Sequence, residues 1–301
     1  MPSKSAARSK SAKKTASMNV ATSIPEFRAL RAELPEPVGF VPTMGFLHDG
    51  HLSLARIARE RCASVVASIY VNPSQFAPSE DLADYPRDLD HDLRLLEEEC
   101  VDLVFAPDEG VGLYPEGHDT WIELPNLTAR LEGTSRPTHF RGVATIVTKL
   151  FHIIEPDVAV FGQKDAQQAL VIDRLIRDLD FDIELVLGPI VREPDGLAMS
   201  SRNVYLSPEE RSAATVLSRS LQLAERLHTS GERNAEVITA QIHELIATEP
   251  LVEPLYVSIA DVGTLVELEV VDRRALVSLA ARVGKTRLID NTVLPPGEAL
   301  L

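Results

Sequence analysis

The chain has 301 residues, 45% of them hydrophobic, and a formal net charge of −15 at pH 7. It is long enough for one large or two ordinary globular domains, and its acidity argues against nucleic acid as a partner, since phosphate backbones bind to basic faces. It contains no apolar run of the roughly 18 residues needed to cross a bilayer and only two cysteines. We therefore expect a soluble, cytoplasmic protein with no membrane partner and no disulfide framework.

The N-terminal segment, residues 1–17, differs in composition from the rest of the chain. It contains five Lys or Arg and no acidic residue, with Ser and Ala between them. Such a segment cannot bury a core, so we predict a disordered basic tail. A targeting signal is one interpretation, and a loose extension ahead of Met18 is the preferred one.

The first predicted elements form a β-α-β unit. Residues 24–34 are expected to form a helix, and residues 38–43 a short apolar strand that ends before Gly45. A periodicity near 3.6 follows and predicts a second helix, after which the apolar run 63–71 predicts a second strand. Strands that are apolar throughout are typical of the middle of a parallel sheet.

The turn between the first strand and its helix has the sequence H-D-G-H, with His48 and His51 three residues apart. If the helix begins there, both imidazoles lie on one face of its first turn. Free backbone N–H groups and the helix dipole favour an anion such as phosphate at that point, and Gly50 leaves room for it to approach. These residues alone leave two alternatives: a partly exposed polar face, or part of a zinc site that lacks further ligands.

A polar, proline-containing loop follows the second strand, at the sheet edge where α/β proteins bind ligands. Gln75 in this loop offers a neutral amide to a hydroxyl or carboxylate, although a surface glutamine is the simpler interpretation. Residues 87–100 predict an acidic amphipathic helix whose aspartates, Asp92 among them, form a solvated face. Residues 101–106 predict another buried strand.

Arg136, His139 and Arg141 lie close together in a turn-rich segment, ahead of a helix predicted over 143–154. Such a cluster can meet a carboxylate or a phosphate. It can equally make a loop or subunit contact, and the sequence does not separate these roles.

Residues 157–161 predict a further strand, followed directly by Gly162, Lys164 and a helix. A lysine at a helix N-terminus opposes the helix dipole, at a cost of about a few tenths of a kcal/mol unless an anion is bound. The position therefore favours phosphate binding. Asp165 can accept hydrogen bonds from ribose hydroxyls or cap the helix, and Gln168, four residues after Lys164, shares its helical face.

The last parallel strand is predicted over 182–187, and the loop after it contains Met199, Ser200, Ser201 and Arg202. Hydroxyl and guanidinium groups bind phosphates. Their position, directly after a strand of a nucleotide-type sheet, favours that role.

The pattern changes beyond residue 190. Two helices precede three short strands, over 208–228, 235–248, 255–259, 275–282 and 286–291. The predicted fold class is therefore α/β: a Rossmann-like parallel-sheet nucleotide-binding domain over 18–190, followed by a smaller α+β C-terminal lid domain over 191–301.

Five sequence runs, in this order and spacing, resemble the pantothenate synthetase (pantoate–β-alanine ligase) family: VPTMGFLHDGHLSL, YVNPSQF, RPTHFRG, FGQKDAQQ and GLAMSSRN. The resemblance extends from Val38 to the C-terminus and is looser in the C-terminal third. Through this family the chain also resembles the wider nucleotidylyltransferase superfamily, with H-D-G-H in place of its HIGH signature and M-S-S-R in place of its KMSKS loop.

The resemblance implies an ATP-dependent ligation in two steps. Pantoate and ATP, with Mg2+, would give pantoyl adenylate and pyrophosphate, and β-alanine would then displace AMP to give pantothenate. The resemblance also implies a homodimer whose partners are the small molecules pantoate, β-alanine and ATP.

The same resemblance implies the roles of individual residues. Catalysis would involve His48, His51, Lys164, Ser200, Ser201 and Arg202. ATP would bind to these six residues and to Pro42, Thr43, Met44, Gly162, Gln163, Asp165, Val191 and Met199. Pantoate would bind to Gln75 and Gln168, whereas the metal ligands are not indicated.

Three positions, Phe46, Gln163 and Ala166, differ from the residues common in the family. Two other functions fit parts of the pattern: a transferase of the same fold that acts on a phosphate acceptor, and a catalytically silent nucleotide-binding regulator. The pair of glutamines argues against the first. The retention of both histidines and Lys164 argues against the second.

Overall fold

The computed structural model describes residues 18–77, 82–107 and 113–301. The predicted basic tail over 1–17 lies outside this part of the chain. Within the described residues, no helix combines the length and the apolar character that crossing a membrane requires.

A six-stranded parallel sheet forms the first part of the molecule. Its strands are β1 Asn19–Ala21, β2 Val38–Thr43, β3 Ser64–Ile69, β4 Leu103–Phe105, β5 Val158–Gly162 and β6 Glu184–Gly188. They are arranged in the order β1-β4-β3-β2-β5-β6, and every pair is parallel. The order reverses between β2 and β5, the kind of switch point at which open α/β sheets bind ligands.

Helices cover both faces of this sheet. They are α1 Ile24–Arg31, α2 Asp49–Arg61, α3 Leu89–Glu98, α4 Pro125–Thr128, α5 Glu132–Ser135, α6 His139–Ile154 and α7 Ala166–Asp178. Along β2, Phe40 packs into the core shared with α1, α6 and α7, whereas Val41 packs into the core shared with α2 and α3. This alternation explains why the strands are apolar throughout, as the sequence predicted.

The remaining chain forms an α+β unit around an antiparallel sheet. Its elements are α8 Pro208–Ala214, α9 Val216–Thr229, α10 Ala235–Ile246, β7 Val252–Asp261, β8 Ala275–Val283 and β9 Thr286–Leu294, with β8 between β7 and β9. Leu217, Ile238 and Val277 belong to its own core. Leu276 and Val293 instead pack with the core of the parallel sheet, so the two units share a buried contact. The predicted α/β and α+β architecture is confirmed.

Several element boundaries differ from the prediction. β1 was missed because a three-residue strand carries too short a pattern. The helix predicted from residue 143 begins at His139, so most of the basic cluster lies on its first turn. Residues Gln163–Asp165 form a 3₁₀ turn, which places Lys164 before α7 and not on its first turn. The helix predicted over 208–228 is two helices that meet at Thr215.

Candidate active site

A cavity opens at the carboxyl ends of β2, β3, β5 and β6. It brings together all the residues assigned from the sequence except Gln163: Pro42, Thr43, Met44, His48, His51, Gln75, Gly162, Lys164, Asp165, Gln168, Val191, Met199, Ser200, Ser201 and Arg202. Gln163 is placed elsewhere, because its side-chain amide is directed at Asn291, 3.5 Å away. Residues from four separate loops therefore line one space.

His48 and His51 are fixed against each other at the start of α2. His48 is the N-cap residue, and its backbone N–H donates to Nδ1 of His51 at 3.3 Å. The two ring centroids are 4.1 Å apart, with the planes inclined by 35°. Because Nδ1 of His51 accepts a hydrogen bond, the neutral ring carries its proton on Nε2.

Both imidazoles are neutral at pH 7 in this structure. Burial, helped by the charge of Lys164, lowers the pKa of His48 from 6.5 to about 4. Burial, together with His48 and Lys164, lowers the pKa of His51 to about 3. The cavity therefore presents neutral N–H donors next to the positively charged Lys164. Such a set of donors can hydrogen-bond to an anion such as a polyphosphate.

The backbone turn before His48 is held by an aspartate. Gly45 and Phe46 both have positive φ, at 81° and 50°, which is uncommon for a residue such as phenylalanine. The Asp92 carboxylate of α3 accepts the Phe46 N–H at 2.8 Å and the Leu47 N–H at 2.7 Å. Burial raises the pKa of this carboxyl, and the two N–H donors oppose the rise. Asp92 thus stabilises the conformation that presents His48.

This role of Asp92 corrects the expectation that it belongs to a solvated face. Only 1% of Asp92 is exposed. It lies four residues before the buried Leu96, on the side of α3 that packs against the protein. That spacing was visible in the sequence and is the signal that could have separated Asp92 from its exposed neighbours.

Gly50 lines the cavity, so the room that it leaves for a ligand stays a prediction, and it also lies close to the ring of His48. A Cβ atom at this position would lie 2.9 Å from both Cε1 and Nδ1 of His48. The absent side chain therefore also makes room for the His48 ring.

Gln75 is held in place from several sides. It is buried, and its side chain donates to Sδ of Met44 at 2.9 Å and accepts from Nδ2 of Asn72 at 3.0 Å. Its backbone carbonyl accepts from Nδ1 of His139 at 2.9 Å and from Arg136 at 3.4 Å. The surface-glutamine alternative is therefore wrong.

The basic cluster divides into two parts. Arg136 and His139 line the cavity and support the Gln75 loop. Arg141 faces away from them, with its guanidinium 4.8 Å from the centre of the Trp121 ring and 3.6 Å from Glu123. Only the first two residues can contribute to binding in the cavity.

The loop after β6 folds back on itself beside the histidines. The Met199 N–H donates to the Val191 carbonyl at 3.0 Å, and Ser200 caps the following 3₁₀ turn by accepting the Arg202 N–H at 3.3 Å. These contacts place two hydroxyls and a guanidinium on the cavity wall. The cavity combines such anion-binding groups with an apolar wall contributed by α6, formed by Val143, Ile146, Val147 and Leu150.

Comparisons with known proteins agree along almost the whole chain. A family model described as Pantoate-beta-alanine ligase matches residues 19–293. The chain is 58% identical over 277 residues to a pantothenate synthetase from Roseiflexus sp. (strain RS-1), covering 92% of this chain and 99% of the relative.

Two solved structures are similar in fold and sequence. A pantothenate synthetase from Thermus thermophilus superimposes with a TM-score of 0.87 at 47% identity, over 91% of this chain and 99% of that one. A pantoate-beta-alanine ligase from Francisella tularensis, complexed with beta-gamma ATP and beta-alanine, gives a TM-score of 0.76 at 33% identity, over 92% and 97% of the two chains.

Proposed function

The chain belongs to the pantoate–β-alanine ligase family, and we propose that it forms pantothenate from pantoate, β-alanine and ATP through a pantoyl adenylate held in this cavity. The observation that carries the proposal is the convergence of His48, His51, Lys164 and the Ser200–Arg202 segment on one space that also contains Gln75. The first group suits phosphates, and Gln75 suits a small hydroxy acid.

In the first step, a carboxylate oxygen of pantoate attacks the α-phosphorus of ATP. The new bond joins the carboxylate oxygen to the α-phosphorus, and the bond between the α-phosphorus and the bridging oxygen to the β-phosphate breaks as pyrophosphate leaves. No proton is transferred, so catalysis consists of positioning and of stabilising the charge that develops on the phosphate oxygens.

The neutral histidines are suited to that stabilisation. Nε2–H of His51 is the donor left after Nδ1 has accepted the His48 backbone N–H. Lys164 supplies a positive charge close enough to lower both histidine pKa values. Ser200, Ser201 and Arg202, on the loop beside the histidines, are assigned to the β- and γ-phosphates.

Further contacts to the phosphates, and the contacts to the ribose and the adenine, are assigned to other residues that line the cavity or lie next to it. The Pro42–Thr43–Met44 turn and Met199 flank the phosphates, Gly162 and Asp165 take the ribose, and Val191 takes the adenine through its backbone. Gln163, expected among the ATP-binding residues, is assigned instead to support of the Lys164 turn, because its side chain is directed at Asn291.

Pantoate is assigned to the part of the cavity between Gln75, Gln168 and the apolar wall of α6. The two amides can bind its hydroxyl and carboxylate groups, and the apolar wall can cover its hydrocarbon part. In the second step the neutral amine of β-alanine attacks the acyl carbon, the acyl–oxygen bond to AMP breaks, and the proton that the amine loses passes to solvent.

Mg2+ is expected to enter with ATP. Among the described residues, no group of three or more His, Cys, Asp or Glu could hold a metal ion by itself. Mg2+ commonly uses one or two carboxylates together with substrate phosphates and water. The bound ion would be held mainly by the substrate phosphates and water, and it would help to neutralise the phosphates.

We also propose that the protein is a cytoplasmic homodimer and that the unit after residue 190 acts as a lid. Cys62 and Cys100 are free thiols, which is consistent with a reducing compartment. The Ser200–Arg202 segment belongs to the second unit, so movement of that unit would change the cavity. Light scattering, with and without ATP and pantoate, tests both the oligomeric state and the compaction.

Product analysis tests the proposed reaction. Purified protein is incubated with ATP, Mg2+, pantoate and β-alanine, and AMP, pyrophosphate and pantothenate are quantified together. We expect the three products in equal amounts. ADP with inorganic phosphate would contradict an adenylate. Pyrophosphate release that requires a phosphorylated acceptor and yields no free AMP would indicate the other transferase.

A further inference from the structure

We infer that Asn291, on β9 of the second unit, is a positioning residue that sets the direction of the Lys164 side chain. The inference rests on the proposed role of Lys164 in binding ATP phosphates. Asn291 does not line the main cavity, and nothing in its sequence context points to it.

Asn291 reaches across from β9 to the 3₁₀ turn that carries Lys164. Its Nδ2 atom donates to the carbonyl oxygen of Gln163 at 3.0 Å and to that of Lys164 at 2.9 Å. Both hydrogens of one side-chain amide are therefore used on two successive carbonyls. Only 3% of Asn291 is exposed, so water does not replace these bonds cheaply.

The geometry of the peptide unit gives these two bonds their effect. The Gln163 carbonyl belongs to the peptide plane before the Lys164 Cα atom, and the Lys164 carbonyl belongs to the plane after it. Because each peptide unit is planar, holding both carbonyls restricts φ and ψ of Lys164. The direction of its Cα–Cβ bond, from which the side chain extends towards the cavity, is restricted with them.

Asn291 makes two further contacts, one through its backbone and one through its side chain. Its backbone N–H donates to Oδ1 of Asp290 at 2.9 Å, and Gln163 donates back to its Oδ1 at 3.5 Å. Asp290 is buried in a two-bond ion pair with Arg192, at 2.6 and 3.0 Å. The donor thus stands beside a buried, ion-paired residue of the same strand.

The Asp290–Arg192 pair extends the same support to a second loop. Arg192 donates to the carbonyl of Gly196 at 3.2 Å and follows Val191 in the loop that ends at Ser200. Neighbouring residues of β9 therefore hold both loops assigned to the nucleotide. Without such support, the turn that carries Lys164 would become ordered only when ATP binds. The entropy lost in that ordering would weaken ATP binding.

The test measures ATP binding by calorimetry with pantoate omitted, so that it does not depend on turnover. Asn291→Leu keeps the side chain neutral and of similar volume but removes both N–H donors. Asn291→Ala removes the same donors without the bulk of leucine, so an effect shared by both variants is not steric. We expect each to weaken ATP binding by about 10- to 100-fold, the size of effect that loss of one contact to a charged group produces. Thr292→Val is the control, because Thr292 donates to Glu225 on α9 and the change should leave ATP binding unaltered.

A double-mutant cycle separates positioning from general destabilisation. If Asn291 acts through Lys164, Asn291→Leu should have little further effect in the Lys164→Ala background. Equal losses in both backgrounds, or wild-type ATP binding in the single variants, would overturn the inference. Wild-type protein that binds ATP but makes no pantoyl adenylate would instead count against the proposed function and leave this test intact.

Discussion

Asp92 on α3 accepts the backbone N–H of Leu47 at 2.7 Å, one residue before His48. The same carboxylate accepts the Phe46 N–H, in a turn where Phe46 has positive φ. A residue far along the chain thus fixes the backbone that leads into the first histidine.

Replacing Asp92 by asparagine should weaken this turn. An amide offers one oxygen and places an NH2 group where the second N–H now donates, so a buried donor loses its partner. We expect a loss of about 1–3 kcal/mol in the free energy of unfolding, together with a lower turnover number. Asp90→Asn, exposed on the same helix, is the control. Unchanged turnover in a folded Asp92→Asn protein would show that the turn does not depend on this carboxylate.

Gly50→Ala should separate stability from activity. The new Cβ would meet the His48 ring at 2.9 Å, so the ring must move and turnover should fall by about tenfold or more. Alanine is a better helix former than glycine, by up to about 1 kcal/mol, which offsets the cost of moving the ring, so the urea concentration at half-unfolding should change little. Glu60→Ala, exposed on the same helix, should preserve turnover. A Gly50→Ala enzyme as fast as wild type would refute the proposed clearance.

Gly142→Ala should act on pantoate and not on ATP. A Cβ atom at this position would lie 2.4 Å from the Ser74 carbonyl oxygen and 2.6 Å from the Gln75 nitrogen, which forces the Gln75 loop away from α6. We expect the KM for pantoate to rise at least about tenfold, with the KM for ATP near its wild-type value. Ala144→Gly, in the same helix, controls for loss of stability. A parallel rise in both KM values would argue against a pantoate site at Gln75.

Acidification should destabilise the ligand-free protein through His48 and His51. Both have folded pKa values below 6.5, so between pH 6.5 and about 4 the unfolded chain binds protons that the folded protein excludes. Stability contributed by the neutral rings is present above pH 6.5 and is lost as the pH falls, by about 2 kcal/mol per histidine between pH 7 and 5.

Urea unfolding of wild type and His48→Gln at pH 7 and pH 5 measures this effect. The variant should lose less stability on acidification than wild type, because its unfolded chain no longer has the His48 imidazole to protonate. His243→Gln, on the exposed side of α10, should retain the wild-type response. Identical acid sensitivity in wild type and His48→Gln would mean that His48 is protonated in the folded protein at pH 5.

The sequence predicted which segments meet in the site because of a simple geometric rule. The motifs around His48, Gln75, Lys164 and Ser200 each follow an apolar strand, and the carboxyl ends of parallel strands lie at one edge of the sheet. Placing the strands was therefore enough to bring the motifs together. The family resemblance then supplied the chemistry.

The supporting residues could not be predicted in the same way. Asn291 contacts carbonyls of residues 127 and 128 positions earlier, and the Asp290–Arg192 pair joins residues 98 positions apart. Such contacts depend on how the second unit packs on the first. The spacing of hydrophobic residues along the sequence contains no information about that packing. Arg136 and His139 were noticed as a cluster, but their orientation followed only once α6 was found to begin at His139.

Isotope exchange between pyrophosphate and ATP, measured with Mg2+, with and without pantoate and with β-alanine absent throughout, tests the central claim most directly. Reversible pantoyl adenylate formation predicts exchange that requires pantoate, and Lys164→Ala should lower its rate by at least about 10²-fold, as is usual when one charge-stabilising donor is removed. Folded, ATP-binding wild-type protein that shows no exchange, or exchange that is indifferent to pantoate, would contradict the adenylate mechanism at this site.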